Sequence, residues 1–185
     1  MSRLLRGIIY RARFKYIQLS EMLDHYGPKN IDKTNQTNKL PEVKVVQVKD
    51  QKQIESLCNF YYKNPSSMMM VPWKKDILQE RISNGVKFYL IYNQRNILVG
   101  AAGVDPERNM FVHSIVDYKQ RKQGYGKSMY LILIGLMKEQ GVNEIRAQIL
   151  KRNIRAKNML LSIGFEIDPK EDKEKYFTMI KRSDV

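Results

Sequence analysis

The stretch QRKQGYGKSMY, residues 120–130, places two glycines among basic residues, between a predicted strand at 110–116 and a long predicted helix at 126–140. A further strand is predicted at 144–150. A strand, a helix and a second strand in this order make a crossover connection, whose two strands run parallel. This feature constrains the fold most strongly, because it indicates an α/β arrangement in which helices cover a sheet.

Hydrophobic periodicity predicts the other elements of the domain. Strands are expected at 43–48, 87–93, 97–104 and 175–182, and helices at 51–64, 74–85 and 153–163. Short turns at Asn93–Asn96 and Asp105–Asn109 join the central strands, which indicates an antiparallel meander upstream of the crossover. The chain is therefore expected to form an α/β (α+β mixed) sheet with helices on both faces.

The start of the chain differs from the rest. Residues 3–24 place apolar side chains at helical spacing with arginines elsewhere, which predicts a basic amphipathic helix over 1–25. Its apolar face is expected to pack on the domain or on a partner chain, and an anionic membrane surface is the alternative. Residues 26–41 are polar, contain two prolines and lack periodicity, so a linker is expected there. The globular domain is then predicted over 42–185.

The chain is strongly basic, with 185 residues, a formal net charge of +14 and an isoelectric point of about 9.8. This charge favours anionic partners, namely a nucleotide or phosphorylated cofactor, nucleic acid or an acidic membrane face. Charge alone does not choose between these partners.

Cys58 is the only cysteine, which excludes an internal disulfide and a multi-cysteine metal centre and favours a reducing cytoplasm. It stands at helical spacing with Ile54, Leu57 and Tyr61, which is typical of a buried structural thiol. With two histidines in the chain, no metal site is expected. No apolar run reaches the roughly 18 residues of a membrane-spanning helix, and the N-terminal stretch does not read as a signal peptide.

The two glycines of the opening stretch predict an anion site. Gly124 and Gly126 allow a sharp turn and a close approach of main-chain N–H groups to a ligand at the start of a helix. Arg121, Lys122 and Lys127 add positive charge. The spacing is neither that of a Walker A loop nor the dinucleotide-binding G-x-G-x-x-G, since Met129 stands where the third glycine belongs. The alternative is a tight turn without a ligand.

A second block, NIRAKNMLLSIGF at 153–165, follows one helix and one strand later. The two blocks together resemble the GNAT superfamily of acyl-CoA-dependent N-acetyltransferases. The acetyl-CoA motif of that family, Q/R-x-x-G-x-G/A, is similar to Arg121, Gly124 and Gly126. Its next motif is similar to Asn153, Ala156 and Gly164–Phe165. The resemblance covers about residues 43–182, although residues before 86 agree only in the order of their elements.

The resemblance implies an N-acetyltransferase that uses acetyl-CoA, no metal, and a mixed sheet of about six to seven strands. The coenzyme's pyrophosphate would lie on the loop amides, and its pantetheine arm between strands 110–116 and 144–150. A main-chain N–H of the first of these strands would hold the oxyanion. The residues implied to bind the coenzyme are Ile115, Val116, Arg121, Lys122, Gln123, Gly124, Tyr125, Gly126, Lys127, Asn153 and Ala156.

The sequence departs from the family at the proton donor. The usual tyrosine of the second motif is Leu160 here, and leucine cannot donate a proton. Tyr176 on the last strand and Tyr125 in the loop are possible substitutes, and packing or surface positions are the alternative for both. A thiol with a pKa near 8.5 leaves as thiolate at neutral pH, so an acid is helpful rather than obligatory.

The general base is also unassigned. Family members often place Glu or His on the fourth strand, at positions that correspond here to Ser114, Val112 and Met110. Ser114 could hold a water, whereas the other two are inert. His113 is the only nearby imidazole, but strand alternation directs it to the opposite face from Ser114 unless a bulge reverses the parity. Asp105 and Glu107 in the preceding turn are further candidates.

The missing base favours an acceptor amine of low pKa, such as an amino sugar or a terminal α-amine, because a lysine-like amine is almost fully protonated at pH 7. Residues 64–73, with three methionines and the only tryptophan, could line the acceptor pocket or pack as a core loop. Two other functions remain open: a CoA-binding module without catalysis, and an RNA-directed acetyltransferase that acts on aminoacyl-tRNA. A homodimer is a further possible assembly.

Overall fold

A computed structural model describes residues 40–65, 74–171 and 174–182. The predicted N-terminal helix (1–25), the predicted linker up to residue 39 and nearly all of the methionine-rich stretch at 64–73 lie outside the described residues, so those expectations stay predictions. Among the described helices, none is long and apolar enough to cross a membrane.

Within residues 40–65, 74–171 and 174–182, seven strands form one sheet in the order β1-β2-β3-β4-β5-β7-β6. Their bounds are β1 Val43–Gln47, β2 Lys87–Asn93, β3 Leu98–Asp105, β4 Met110–Val116, β5 Glu144–Leu150, β6 Glu166–Ile167 and β7 Tyr176–Arg182. All neighbouring strands are antiparallel except β4 and β5, which the predicted crossover joins in parallel. The mixed α/β fold class is therefore confirmed.

In the described part of the chain, four α-helices cover the sheet: α1 Gln51–Lys63, α2 Lys75–Ser83, α3 Tyr125–Glu139 and α4 Ile154–Leu161. Helix α1 begins with a capping box, in which Asp50 accepts a hydrogen bond from the Gln53 N–H at 2.8 Å and the Gln53 side chain bonds back to the Asp50 N–H. Helix α4 is capped by Asn153, as predicted from the sequence.

Two apolar cores lie on opposite faces of the sheet. The first packs α1 and α2 against β2 and β3, with Leu57, Tyr61, Leu78 and Phe88 fully buried. The second packs α3 and α4 against the other face around Met129, Leu133, Leu160 and Phe165. Each fully buried aliphatic or aromatic side chain stabilises the fold by about 1.5–3 kcal/mol. The helices are therefore on both faces, as expected.

Three features of the sheet region escaped prediction. Strand β6 has only two residues, too few to show a periodicity. Two short 3₁₀ turns, Tyr118–Gln120 and Pro169–Glu171, also lie between predicted elements. Cys58, expected to be buried, is half-buried against the α1–α2 core. Partial burial raises the pKa of its thiol, which is consistent with the predicted structural role.

Candidate active site

The parallel strands β4 and β5 separate soon after they meet. Their register joins only Met110 with Arg146 and Phe111 with Ala147, and the Arg146 N–H donates to the Asn109 carbonyl at 2.8 Å. Beyond Phe111 a cleft of about 310 Å³ opens between the two strands. This volume is at the lower end of the range for small-molecule sites.

Strand β4 contains a bulge at the cleft. Ala101 pairs with Ile115 and Gly103 with Val112, so Ala102 alone faces both His113 and Ser114. His113 is in the left-handed region at φ 51°, which is uncommon for a residue with a side chain. The Tyr61 hydroxyl of α1 donates a 2.8 Å hydrogen bond to the His113 carbonyl and thereby supports the bulge.

His113 and Ser114 lie on opposite faces of the sheet, and both line the cleft. The imidazole of His113 stacks on Phe88 in the α1–α2 core, with 6.1 Å between ring centroids and 18° between planes. Ser114 faces α3, where its hydroxyl is near that of Tyr130. The bulge is thus present in the predicted strand, but it does not bring the two side chains to one face.

The Ser114 hydroxyl is a buried polar atom in the cleft. Its oxygen has no hydrogen-bond partner of acceptable geometry among the described residues. Burial raises the pKa of Tyr130, and the nearby Ser114 hydroxyl acts in the opposite direction. The Ser114 hydroxyl therefore retains capacity for a hydrogen bond to a ligand or water.

Main-chain groups of β4 also face the cleft. The Asp117 N–H donates to the Val99 carbonyl at 2.8 Å, and an antiparallel ladder alternates its direction at each residue. The main-chain groups of Val116 therefore point away from β3 and into the gap left by β5, as do those of Ser114. Ile115 pairs with Ala101 and buries its side chain in the α1–α2 core, so its main-chain groups face β3.

Hydrogen bonds from the C-terminal end of α1 support the loop that follows β4. Asn64, fully buried at the end of α1, accepts a hydrogen bond from the Tyr118 N–H at 3.1 Å. Its amide lies 3.4 Å from the Asp117 carboxylate, which in turn accepts from the Lys119 N–H at 2.8 Å. These contacts fix the direction in which the loop leaves the sheet.

The predicted phosphate loop turns sharply into α3. Gly124 is the N-terminal cap at φ 87°, and Lys122 is also left-handed at φ 68°. The first amides of a helix have no acceptor within the helix, so those of Tyr125, Gly126 and Lys127 are available to a ligand. Gly126 lines the cleft, where an added Cβ would lie 3.7 Å from Val116 Cγ2.

The basic side chains of the loop contact carbonyl groups at its border. The Arg121 Nε donates to the Val116 carbonyl at 3.3 Å, and the Lys127 Nζ to the Ser162 carbonyl at 3.4 Å. Lys122 and Gln123 are exposed. The loop thus combines helix amides with positive charge, which is the arrangement that binds an anion.

Helix α4 provides another side of the cleft. Asn153 Oδ1 accepts the Ala156 N–H at 3.2 Å, and both residues line the cleft together with Met159. Leu160 is fully buried in the α3–α4 core. Helix α4 therefore offers no hydroxyl group to the cleft at the position of the family's usual tyrosine.

The remaining predicted residues are more peripheral. Tyr176 lies at the rim of the cleft and is 41% exposed. Tyr125 is packed against the α3–α4 core. Asp105 accepts a hydrogen bond from the Arg108 N–H at 3.3 Å and forms an ion pair with the Arg108 guanidinium at 3.6 Å. Glu107, in the same turn, is exposed. Among the described residues, no cluster of His, Cys, Asp or Glu could hold a metal ion.

Sequence reasoning missed Tyr130 and Tyr61. Tyr130 stands four residues after Gly126 in an apolar helix, where its ring packs edge-on against Phe111 at 4.8 Å. Both tyrosines occupy positions of the apolar helix faces, so their patterns indicate packing alone. The Tyr61 hydroxyl contacts His113 and the Tyr130 hydroxyl lies near Ser114, so both meet the bulge, which no local pattern specifies.

The family model described as "Acetyltransferase (GNAT) domain" matches residues 43–179. A search of curated proteins found no match. Similar folds occur in solved structures, among them the ribosomal-protein-S18-alanine N-acetyltransferase from Escherichia coli, with a TM-score of 0.62 and 12% identity over 78% of this chain and 96% of that one.

A PaiA N-acetyltransferase from Thermoplasma acidophilum in complex with coenzyme A is also similar, with a TM-score of 0.60 and 14% identity over 77% of this chain and 99% of that one. A dodecameric spermidine N-acetyltransferase from Vibrio cholerae has a TM-score of 0.59 and 11% identity over 76% of this chain and 93% of that one. At these identities the likeness to solved structures shows the fold alone.

Proposed function

The chain belongs to the GNAT acetyltransferase family, and we propose that it transfers the acetyl group of acetyl-CoA to a primary amine of low pKa, of the amino-sugar, small-molecule or terminal α-amine type. Acetyl-CoA is the acyl donor of this N-acetyltransferase. The acceptor class rests on one observation, which is the chemistry of the residues that line the cleft.

None of the described residues that line the cleft is acidic. A lysine-like amine with a pKa of about 10.4 requires roughly 4.6 kcal/mol to lose its proton at pH 7, and a nearby carboxylate is a common way to assist this step. An amine with a pKa near 7.7 requires about 1 kcal/mol. The net charge of +14 also disfavours a polycation such as spermidine as the acceptor.

For the donor, we assign the loop amides of Gly124–Lys127 to the pyrophosphate, with Arg121, Lys122 and Gln123 at its border. The main-chain groups that face the cleft at Ser114 and Val116 are assigned to the pantetheine arm and to the oxyanion. Ile115 pairs with Ala101 of β3 and thereby fixes the position of the neighbouring main-chain groups that would contact the coenzyme. Asn153 and Ala156 form the opposite side of the cleft and lie close enough to shape it.

For the base, we assign Ser114 as the residue that orients a water, because its hydroxyl is buried in the cleft and has no described partner. His113 is the alternative, since it also lines the cleft. For the proton donor, two tyrosines line the cleft, Tyr130 and Tyr176. Tyr130 is favoured because its phenol is buried beside Ser114, whereas Tyr176 is at the exposed rim.

Two other functions are separated from this one by single observations. A CoA-binding module would hold the coenzyme without releasing free thiol in the presence of any amine, and Leu160 is the feature that favours it. An RNA-directed enzyme would bind aminoacyl-tRNA with an affinity that falls steeply with salt. The proposed location, a reducing cytoplasm, rests on the single cysteine.

The test is a rate comparison after coenzyme binding has been measured by calorimetry. Free thiol release is followed with glucosamine, with an alanyl peptide that has a free α-amine, with an Nα-acetylated lysine peptide and with spermidine. We expect kcat/KM to be highest for one of the first two amines. A higher value for the lysine peptide or for spermidine would contradict the proposed acceptor class.

A further inference from the structure

The cleft is lined by residues from both faces of the sheet. On one face, α3 and α4 contribute to its lining, and Ser114 lies beside Tyr130. On the α1–α2 face, the described residues that line the cleft come from strands alone, because successive side chains of a strand alternate between the two faces. The residues of this second face include Met110, Val112, His113, Gln148 and Tyr176.

Gln148 is the polar side chain that β5 presents on the α1–α2 face. Its neighbours Ala147 and Ile149 are buried in the α3–α4 core, so Gln148 is directed away from that core. Gln148 lines the cleft, is exposed and makes no side-chain hydrogen bond with the other described residues. A side-chain amide both donates and accepts, so Gln148 offers both kinds of hydrogen bond to a molecule in the cleft.

Thr178 of β7 pairs directly with Gln148. Its neighbours Phe177 and Met179 pack in the α3–α4 core, so the Thr178 side chain shares the face of Gln148. Thr178 is completely buried, and its hydroxyl has no hydrogen-bond partner among the described residues. Such a hydroxyl is costly unless something nearby completes it. The Cβ atoms of a cross-strand pair lie about 4.5–5.5 Å apart, within reach of a glutamine amide.

The chemistry of this face matches a hydroxylated acceptor. Gln148 and the hydroxyl of Tyr176 at the rim both donate and accept, as the hydroxyl groups of an acceptor do. Apart from the imidazole of His113, the described residues on this face of the cleft are uncharged. A peptide acceptor would pair with an open strand edge, and the edge of β4 that faces the cleft is assigned to the coenzyme's arm.

We propose that Gln148, oriented by Thr178, selects an acceptor that carries a hydroxyl group on the carbon next to its amine-bearing carbon, as amino sugars do. One end of the Gln148 amide bonds to the Thr178 hydroxyl, and the other end bonds to the hydroxyl of the acceptor. Gln148 is then a specificity-determining residue and Thr178 a positioning residue. This inference rests on the proposed function and narrows its acceptor class.

The first experiment compares glucosamine with its 1-deoxy and 3-deoxy analogues, each of which lacks one of the two hydroxyl groups beside the amine. Free thiol release gives kcat/KM for each acceptor. We expect the unaltered chain to favour glucosamine over at least one analogue by about 10- to 100-fold, and Gln148→Leu to favour it by less than about threefold. The matched control is Gln47→Leu on β1, the edge strand far from the cleft, which should keep the preference of the unaltered chain.

A second pair of variants tests Thr178. Thr178→Val keeps the shape of the buried side chain and removes only its hydroxyl group. We expect KM for glucosamine to rise about three- to tenfold with kcat within about twofold, and Thr178→Ser to restore KM. Urea unfolding should show no loss of stability in Thr178→Val, because the lost hydroxyl has no described partner. A purely structural role would change stability and leave KM as it is.

Three results would overturn this inference alone: a preference for glucosamine that persists in Gln148→Leu, no such preference in the unaltered chain, or thiol release with the alanyl peptide but not with glucosamine. An unchanged KM in Thr178→Val would overturn the role of Thr178. If no amine in the earlier rate comparison releases thiol, the proposed function is wrong as well.

Discussion

The Tyr61 hydroxyl of α1 donates a 2.8 Å hydrogen bond to the main-chain carbonyl of His113, across 52 residues of sequence. Tyr61 is fully buried, and His113 is the left-handed residue of the β4 bulge. A helix on one face of the sheet therefore supports the backbone that faces the cleft. The geometry of the candidate site depends on this contact as much as on the residues that line it.

Tyr61→Phe removes the phenol hydroxyl and with it the hydrogen bond to the His113 carbonyl. We expect a loss of about 1–3 kcal/mol in the free energy of unfolding, because the part-buried His113 carbonyl loses this hydrogen bond. Coenzyme affinity should also fall, since the bulge positions the amides of Ser114 and Val116. Urea unfolding and calorimetry measure the two effects.

Tyr89→Phe is the matched control. Tyr89 is buried in the other core, and no hydrogen bond of its hydroxyl is seen among the described residues. Its removal should change stability by less than about 1 kcal/mol. Equal losses for the two variants would contradict a special role for the Tyr61 contact.

Gly126→Ala tests the anion site without a change of fold. The added methyl group would meet only Val116 Cγ2, at an ordinary distance of 3.7 Å, but it would narrow the cleft where the pyrophosphate is proposed to bind. We expect Kd for coenzyme A to rise about 10- to 100-fold, equivalent to one or two hydrogen bonds to a charged group. Calorimetry measures the change, and circular dichroism checks the fold.

Gly135→Ala makes the same chemical change in the same helix. A Cβ at Gly135 would contact no atom within 4 Å. It should leave coenzyme affinity unchanged and stabilise α3 by about 1 kcal/mol, because alanine favours a helix interior. Weakened binding in this variant as well would show that the loss in Gly126→Ala does not come from the cleft.

Tyr130→Phe tests the proposed proton donor. It keeps the ring that packs on Phe111 and removes only the hydroxyl beside Ser114. We expect kcat to fall about 100-fold with little change in KM, which is the signature of a contribution made in the transition state. Tyr176→Phe at the rim should lower kcat by less than about threefold. The reverse order would transfer the role to Tyr176.

Ser114→Ala and His113→Asn compare the two candidate bases. Asparagine tolerates the left-handed conformation at position 113, so this change removes the imidazole without straining the bulge. We expect Ser114→Ala to lower kcat about tenfold or more and His113→Asn to leave kcat within about threefold. If the acid limb of the pH profile disappears in His113→Asn, the imidazole is the base instead.

The fold should lose stability at high pH. Burial raises the pKa of Tyr61 well above its usual value of 10.0 and raises that of Tyr130 as well. The unfolded chain then ionises first, so stability is complete below about pH 10 and falls as the pH rises through the folded pKa values. Each tyrosine contributes at most about 1.4 kcal/mol per pH unit.

Urea unfolding between about pH 9 and pH 11.5 measures this slope. Tyr61→Phe should have a shallower slope than the unaltered chain, because one of the buried phenols is gone. An identical slope would show that other groups cause the alkaline loss.

Features that depend on local chemistry could be predicted from the sequence. Gly124 and Gly126 precede an apolar helix, and Asn153 precedes another, so turn and cap rules apply directly. The crossover that makes β4 and β5 parallel follows from the order of the elements. Features that depend on register could not be predicted in this way. The bulge in β4 and the direction of the main-chain groups at Ile115 and Val116, which follows from the pairing of Asp117 with Val99, are features of this kind. The opposite faces of His113 and Ser114, in contrast, agree with the strand alternation used in the prediction.

Tyr130 illustrates the same limit from the side of packing. Its position in the apolar helix α3 indicates that the side chain is buried, and the structure agrees. The proximity of its hydroxyl to Ser114, which lies on β4, cannot be derived from the helix pattern. The opposite holds for Leu160. Comparison with the family motif showed that leucine stands where the family has its usual tyrosine. The structure buries this leucine completely in the α3–α4 core, as expected for an apolar side chain.

The proposed coenzyme-binding site consists largely of peptide groups at the start of α3 and along β4, where it separates from β5. Glycine occurs where the main chain would approach the ligand closely. Peptide groups are the same in every protein. Substitution of the side chains around such a site therefore leaves the peptide groups that would bind the coenzyme in place. Solved structures that share only 11–18% of their residues with this chain have the same fold.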